Sequence, residues 1–260
     1  MNVMEHGSTI DGELDFRARE YRRSKAFAPV WSRTLDVVFD DIAPYYDIAS
    51  DVASLGRCSA WRRRFTDSVA LAPGDRVLDV CAGTNGVGLA LLRREPGIEV
   101  TAFDRNAAMQ AVGRRLARER GVTIGSVIGD AHDLPFPDGH FDVVTLQFAS
   151  RHLSVLDAFA EVRRVLRPGG SLYHCDMLRP ENRVVEKLYG VYLKGCVSVT
   201  ALAFGSGPEA WSCRDYFVDA IRMFYSAAEI GDLLRHVGFS AVTSRVAVGG
   251  VLAWHRAVKA

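Results

Sequence analysis

Residues 76–88, reading RVLDVCAGTNGVG, constrain this 260-residue chain more than any other stretch. Val77, Leu78 and Val80 form a short apolar run of the kind carried by strands buried on both faces. Asp79 stands inside the run, and Gly83, Asn85, Gly86 and Gly88 follow it. A helix fits residues 87–94. Strand, glycine-rich turn and helix together open a nucleotide-binding βαβ unit. Glycine lets the backbone approach a ligand, and asparagine tolerates the left-handed conformation of a tight turn. About 25 residues after Asp79 the run VTAFD ends in Asp104. A carboxylate at the tip of a second strand can accept both hydroxyls of a ribose.

The turn alone does not select the cofactor. A dinucleotide site requires G-x-G-x-x-G so that a helix N-terminus can face a pyrophosphate. Here Cys81 and Asn85 occupy glycine positions, and Asp79 puts negative charge at the loop. That carboxylate repels pyrophosphate but suits the ammonium and sulfonium groups of S-adenosylmethionine (SAM). The segment resembles motif I of class I SAM-dependent methyltransferases, D-x-G-x-G-x-G, with Cys81 and Asn85 in place of the first and third glycines. An NAD-dependent oxidoreductase is the rival from another class, disfavoured by the absent G-x-G-x-x-G.

After residue 76 apolar runs and helical patterns alternate. Strands are expected near 76–81, 99–104, 123–128, 141–147 and 171–178, and helices near 87–94, 106–119 and 153–166. This alternation implies an α/β fold with a doubly wound, mostly parallel sheet. Pro168, Gly169 and Gly170 are expected to end the last of these helices. Residues 180–225 are helical in pattern with a break at 205–208, residues 227–237 form a helix stopped by Gly238, and two β-rich runs around Gly249 and Gly250 make a hairpin. Residues 1–12 are expected to fray. The basic residues of 16–31 and Arg62–Arg64 are expected to face solvent. The organisation is therefore an N-terminal helical cap over 1–65 and a SAM-binding core over 66–260, with 180–225 a lid over the C-terminal edge of the sheet.

Composition excludes several classes. A net charge of +1 gives no global pull toward nucleic acid or anionic lipid. Five cysteines form no C-x-x-C and no zinc pattern, and read as reduced, mostly buried thiols of a cytoplasmic protein. No apolar secretion segment and no run of about 20 apolar residues is present.

Residues 127–147, VIGDAHDLPFPDGHFDVVTLQ, resemble the third and fourth strand region of class I methyltransferases. Asp130 ends a strand and can accept from an adenine amino group, with the Ala131 N–H beside it. The run RVLRPGG follows at 164–170. The resemblance then covers nearly the whole chain. Residues 38–61 are similar to the N-terminal signature of the ubiquinone/menaquinone-type C-methyltransferases, with Tyr46, Asp47, Ser54, Gly56 and Trp61 matching. FASRHL (148–153) is similar to its F-G-x-R-N segment through Arg151, and AIRMFY (220–225) and GGVLAWHRAVK (249–259) resemble its tail. The resemblance implies a seven-stranded fold with a C-terminal antiparallel hairpin, and methyl transfer from SAM to a ring carbon of a prenylated quinol. It implies cofactor contacts from Asp79, Ala82, Gly83, Thr84, Asn85, Asp104, Arg105, Asp130, Ala131 and Gln147. The signature's Met-Asn is Ala49-Ser50, its His is Cys58, and a Glu after the fifth strand is Asp176. These departures fall where the acceptor should bind.

A sulfonium methyl is already electrophilic, so the protein must align a nucleophile with the S–CH₃ bond and exclude water. Such positioning is worth on the order of 7–11 kcal/mol. A phenolic ring becomes a good carbon nucleophile once its O–H is deprotonated or strongly hydrogen-bonded. No metal is required, and no His/Asp/Glu cluster has ligand spacing. Arg151, just after the fourth strand, is the first candidate for acceptor activation. It stays protonated and can stabilise an oxyanion or order a water. His152, by its ordinary pKa, and Tyr46, as a phenolic pocket wall, complete the catalytic candidates. The acceptor is expected to be a small aromatic or quinol, with a demethylmenaquinol-like quinol leading. Peripheral membrane contact follows if it is prenylated. An O-, N- or C-methyltransferase of a specialised metabolite and a non-enzymatic SAM-binding module are the other readings, and a homodimer is left open.

Overall fold

The computed structural model describes residues 5–205 and 207–260. Residues 1–4 of the stretch expected to fray lie outside the described residues; residues 5–12 continue into a helix. Among the described residues four α-helices precede the sheet: α1 (Glu5–Pro29), α2 (Leu35–Ile42), α3 (Tyr46–Ala53) and α4 (Cys58–Ser68). Pro44 separates α2 from α3, where a proline nitrogen cannot donate to a continuing helix.

The core runs β1 (Arg76–Val80), α5 (Gly86–Arg94), β2 (Glu99–Asp104), α6 (Ala107–Glu119), β3 (Gly125–Ile128), β4 (Phe141–Gln147), α7 (Val155–Val165) and β5 (Leu166–Met177). Then come α8 (Arg183–Phe204), α9 (Pro208–Arg222), α10 (Ala227–His236), β6 (Phe239–Ala247) and β7 (Leu252–Lys259). The seven strands lie in the order β3-β2-β1-β4-β5-β7-β6. Pairs among β1 to β5 are parallel; β7 is antiparallel to both β5 and β6. The strand order reverses between β1 and β4, so their carboxyl ends frame the crevice where open α/β sheets take ligands. On α7 the buried residues Val155, Ala158, Phe159, Val162 and Val165 keep the i, i+3, i+4, i+7 spacing that turns one face onto the sheet.

Two sequence expectations are corrected. Pro168-Gly169-Gly170 does not end α7, which stops at Val165; it lies within β5 beside a register shift between Phe141 and Val143. A Cβ on Gly170 would stand 2.9 Å from the Arg167 carbonyl and 3.0 Å from that of Asp142, so the irregular strand edge demands glycine. The basic face of α1 is not all solvated. Arg23 is fully buried: Nη1 donates to Glu20 at 2.7 Å and Nη2 to the Arg151 carbonyl at 2.9 Å, with the guanidinium 4.7 Å from the Phe224 ring centroid. Glu20 in turn accepts from the Val155 N–H at 2.8 Å and from the Tyr225 hydroxyl at 2.9 Å. Arg19 donates to Glu229 and to the Phe224 carbonyl. The N-terminal helix is thereby fixed to the turn that carries Arg151. Among the described residues no helix is long and apolar enough to cross a membrane.

Candidate active site

The glycine-rich turn is built on left-handed residues. Cys81 and Asn85, the two departures from D-x-G-x-G-x-G, have φ of 54° and 62°, and Gly83 has 53°. Asparagine accepts that conformation readily; cysteine does so at a cost of about 1–2 kcal/mol. Asn85 is fully buried beneath the turn, where its Oδ1 accepts from Gln110 at 2.8 Å. Gly113 lets it sit there, since a Cβ at 113 would fall 2.6 Å from the Asn85 amide carbon. The Asp104 carboxylate closes the turn from β2, accepting from the Gly83 N–H and the Asn106 N–H, each at 2.8 Å.

Above the turn lies a narrow cleft lined by Asp79, Ala82, Gly83, Thr84 and Gln147 from the sheet and its turns and by Tyr46 and Arg62 from α3 and α4. Its free volume is about 40 Å³, room for about three waters at roughly 10–15 Å³ each. The cover is a latch. Asp47 on α3 accepts from Arg62 at 2.8 Å and from the Thr84 hydroxyl at 2.8 Å. Arg62 lies so close over Gly86 that a Cβ there would stand 2.5 Å from its Nη1. Of the arginine triplet only Arg63 and Arg64 are exposed, which corrects the expectation of a wholly solvated turn.

Two buried atoms lining this cleft have no hydrogen-bond partner among the described residues: Asp79 Oδ2 and Gln147 Nε2. The other Asp79 oxygen accepts from Thr145 at 2.7 Å. Burial raises the Asp79 pKa to about 7, against the opposing pull of the Thr145 hydrogen bond and of the Gly88 backbone N–H. A carboxylate held this close to neutrality is stabilised by any cation brought beside it. The cleft thus offers an unpaired acid and an unpaired amide donor to a ligand carrying both an ammonium and a carboxylate, which are the groups of SAM's methionine moiety.

A second cavity, of about 620 Å³, lies between α2–α4 and α8 and is lined mainly by apolar side chains. Tyr46 and Phe148 line both spaces, so the two meet at these rings. Arg151 also lines the larger cavity. Its Nη1 donates to the Phe148 carbonyl at 2.8 Å and to Asp176 at 2.5 Å. Asp176 is fully buried and also accepts from the Ser150 hydroxyl at 2.5 Å, which fixes the guanidinium at the cavity wall. Burial raises the Tyr46 pKa, so its phenol stays protonated at neutral pH.

The structure does not bring every candidate together. His152 is turned away: the tight turn at residues 150–152 sends Arg151 to the cavity and His152 against α9. There its Nδ1 hydrogen-bonds with the Tyr216 hydroxyl at 2.6 Å. Burial, together with Arg151 and Arg23, holds its pKa well below 6.5, so the imidazole is neutral, and it lies outside the lining of both spaces. Arg105 donates to the Trp31 carbonyl and to Asp36, outside the cleft. Ala131 packs in the hydrophobic core, and Asp130 is exposed two residues past β3, paired with His132. Sequence reasoning missed Arg62 and Asp47 as cover of the cleft, although Asp47 belonged to the recognised signature. Among the described residues no cluster of three or more His, Cys, Asp or Glu side chains can hold a metal ion.

Residues 30–259 match the model of the ubiE/COQ5 methyltransferase family. A demethylmenaquinone methyltransferase of Beutenbergia cavernae is 40% identical over 223 residues, covering 85% of this chain and 89% of that protein. Its counterpart in Streptomyces avermitilis is 35% identical over 224 residues, covering 86% and 93%. Among solved structures, a SAM-dependent methyltransferase from Aquifex aeolicus aligns with a TM-score of 0.57 at 20% identity, covering 82% of this chain and 98% of that one. A putative methyltransferase from Haloferax volcanii, solved with the Trm112 activator, aligns at 0.61 and 17% identity, covering 85% and 97%. At such identities the structural likeness speaks for the fold alone.

Proposed function

The chain belongs to the ubiE/COQ5 methyltransferase family, and on that premise we propose that its acceptor is a demethylmenaquinol-like quinol methylated on a ring carbon. It is a SAM-dependent methyltransferase acting on a small-molecule acceptor. The observation that carries the finer reading is the junction of the two spaces: a cofactor cleft and a 620 Å³ apolar cavity meet at Tyr46 and Phe148, with Arg151 on the cavity wall.

SAM supplies an electrophilic methyl group. Asp79 and Gln147 hold its amino-acid end, and Asp104, beyond the turn, faces the ribose. Ala82, Gly83 and Thr84 present backbone along the cleft, Asn85 shapes the turn, and Asp130 with the Ala131 N–H receives the adenine. Tyr46 and Phe148 wall the junction and keep water from it. Arg151, fixed by Asp176, stabilises the oxyanion of the quinol or orders a water that takes its proton. Residues 1–65 and 180–225 act as caps, with the Asp47–Arg62–Thr84 latch opening for the cofactor. The proposal is of a cytoplasmic enzyme, a setting that suits its free thiols.

The test supplies SAM and a short-chain demethylmenaquinol under reducing conditions and locates the new methyl by NMR. A ring C-methyl product is expected. A second reading, a tail-less acceptor of specialised metabolism, draws on one observation. Ser50 and Cys58, which depart from the signature, both line the acceptor cavity. A site discriminates hydroxylated acceptors by the polar groups it would otherwise leave unpaired. Turnover of a tail-less phenol without turnover of the quinol would select this second reading.

A further inference from the structure

We propose that the outer face of α8 and the adjoining α3–α4 turn dock on an anionic bilayer surface, and that the acceptor passes from the bilayer directly into the cavity. The inference rests on the proposed lipophilic acceptor for its purpose, but the docking itself rests on the surface of the protein.

Apolar side chains on α8 are exposed where a globular surface would normally be polar. Val184, Leu188, Val191, Val199 and Leu202 are each between 59% and 75% exposed. Their spacing of three, four or eight residues, together with the step of three from 199 to 202, puts them on one side of a helix about 33 Å long. Leu55 in the α3–α4 turn, 76% exposed, and Val52 in the last turn of α3 extend the patch. The opposite side of the same helix, through Tyr189, Leu193 and Val197, lines the acceptor cavity. Leu55, Leu188, Tyr192 and Val248 do both: they are exposed and they line the cavity. The mouth of the cavity therefore lies within the apolar patch.

Charge identifies the occupant. Arg183, Lys187 and Lys194 run along one edge of α8, and with Arg222 they line a groove between α8 and α9. Lys194 pairs with Asp215 and Arg222 with Glu186, whereas Arg183 and Lys187 have no ion pair among the described residues. An apolar stripe with a basic margin is the pattern of a helix that lies in a membrane interface, its cations level with lipid phosphates. A second copy of the chain seated on the same face would close the mouth; a fluid bilayer keeps it open to a lipid-dissolved molecule.

The experiment is co-sedimentation with vesicles of phosphatidylcholine alone or mixed equally with phosphatidylglycerol, without cofactor or acceptor, so that a wrong acceptor assignment leaves the result readable. Binding to the anionic vesicles is expected, weakened about tenfold or more by V191E/L202E and less by K187E. Turnover of a tail-less acceptor should be unchanged, because Val191, Leu202 and Lys187 lie outside the acceptor cavity. V191Q/L202Q, a milder pair, serves if the acidic variant fails to fold. Absence of vesicle binding, or binding indifferent to both double variants, overturns the proposal. So does a concentration-dependent dimer that the same variants dissolve, which would assign the face to a second copy.

Discussion

Replacing Asp79 by Asn tests the cofactor cleft through two readouts that move in opposite directions. In the folded protein burial raises the Asp79 pKa from an ordinary 3.8 to about 7. At 1.36 kcal/mol per pH unit the difference is worth about 4 kcal/mol. The sign follows from proton binding. Between pH 3.8 and 7 the folded state keeps a proton that the unfolded state has lost. This group's contribution is therefore fully present below about pH 3.8 and is lost as the pH rises to about 7. Above pH 7 the protein carries a buried carboxylate with one unpaired oxygen.

Asn keeps the oxygen that accepts from Thr145 and removes the charge. Its amide donor replaces the unpaired oxygen and costs about 1–3 kcal/mol in return. At pH 8 the ligand-free variant is expected to be more stable than the wild type by about 1–3 kcal/mol, an advantage that vanishes or reverses near pH 4. Urea denaturation across that range measures the difference. Calorimetry with S-adenosylmethionine should show the reverse ranking: loss of the charge-assisted hydrogen bond weakens binding about ten- to hundredfold. Wild-type affinity should rise with pH through 7 as the carboxyl ionises, and the variant's should stay flat. A variant destabilised equally at pH 5 and pH 8, with unchanged affinity, would refute the reasoning.

Four further expectations follow from the same geometry. Cys81→Gly relieves a left-handed cysteine and should raise stability by about 1 kcal/mol, seen as a rise in Tm of about 2–4 °C. Arg23→Met leaves the buried Glu20 carboxylate without its cation and should cost about 3–5 kcal/mol, most of it recovered in the Glu20→Gln/Arg23→Met double variant; no recovery would mean the pair is not the source. Arg151→Ala should lower kcat about 10²–10³-fold with little change in KM, and a variant with full kcat on the true acceptor removes Arg151 from the chemistry. Hydrogen exchange should show protection in 13–65 and 180–225 once S-adenosylhomocysteine and acceptor are both bound; unchanged exchange in both segments would sink the lid assignment.

The legibility of the sequence ended where local pattern gave way to distant partners. The βαβ opening was plain because its signals lie within a few residues: the apolar run of β1, the turn, and Asp104 at the next strand tip. Even the departures from motif I were readable in principle, since Cys81 and Asn85 occupy the left-handed positions that make glycine the usual choice there. Arg23 could not be read in this way. Its helix looks like a basic solvent face, and what buries it are Arg151 and Phe224, 128 and about 200 residues away. Arg151 and His152 are neighbours of similar chemical promise, and only the backbone of a tight turn decides which one meets the cavity. Arg62 looked like its two neighbours until α3 supplied Asp47.

These long-range contacts converge on one short segment. Phe148 has φ of 60°, a conformation that costs a bulky residue about 1–3 kcal/mol and persists only when the surroundings over-determine it. Its N–H donates to the Cys175 carbonyl at 2.8 Å, and its own carbonyl accepts from Arg151. Arg151 is held by Asp176 through its side chain and by Arg23 through its carbonyl. Arg23 belongs to the N-terminal helix, and Asp176 to the strand that begins the C-terminal half of the sheet. The backbone strain at the junction of the two cavities is therefore maintained by elements from both ends of the chain. This explains why the N-terminal helix, remote from the glycine-rich turn, buries Arg23: its bond to the Arg151 carbonyl is the contact by which that helix holds the 148–152 turn, alongside those from Cys175 and Asp176.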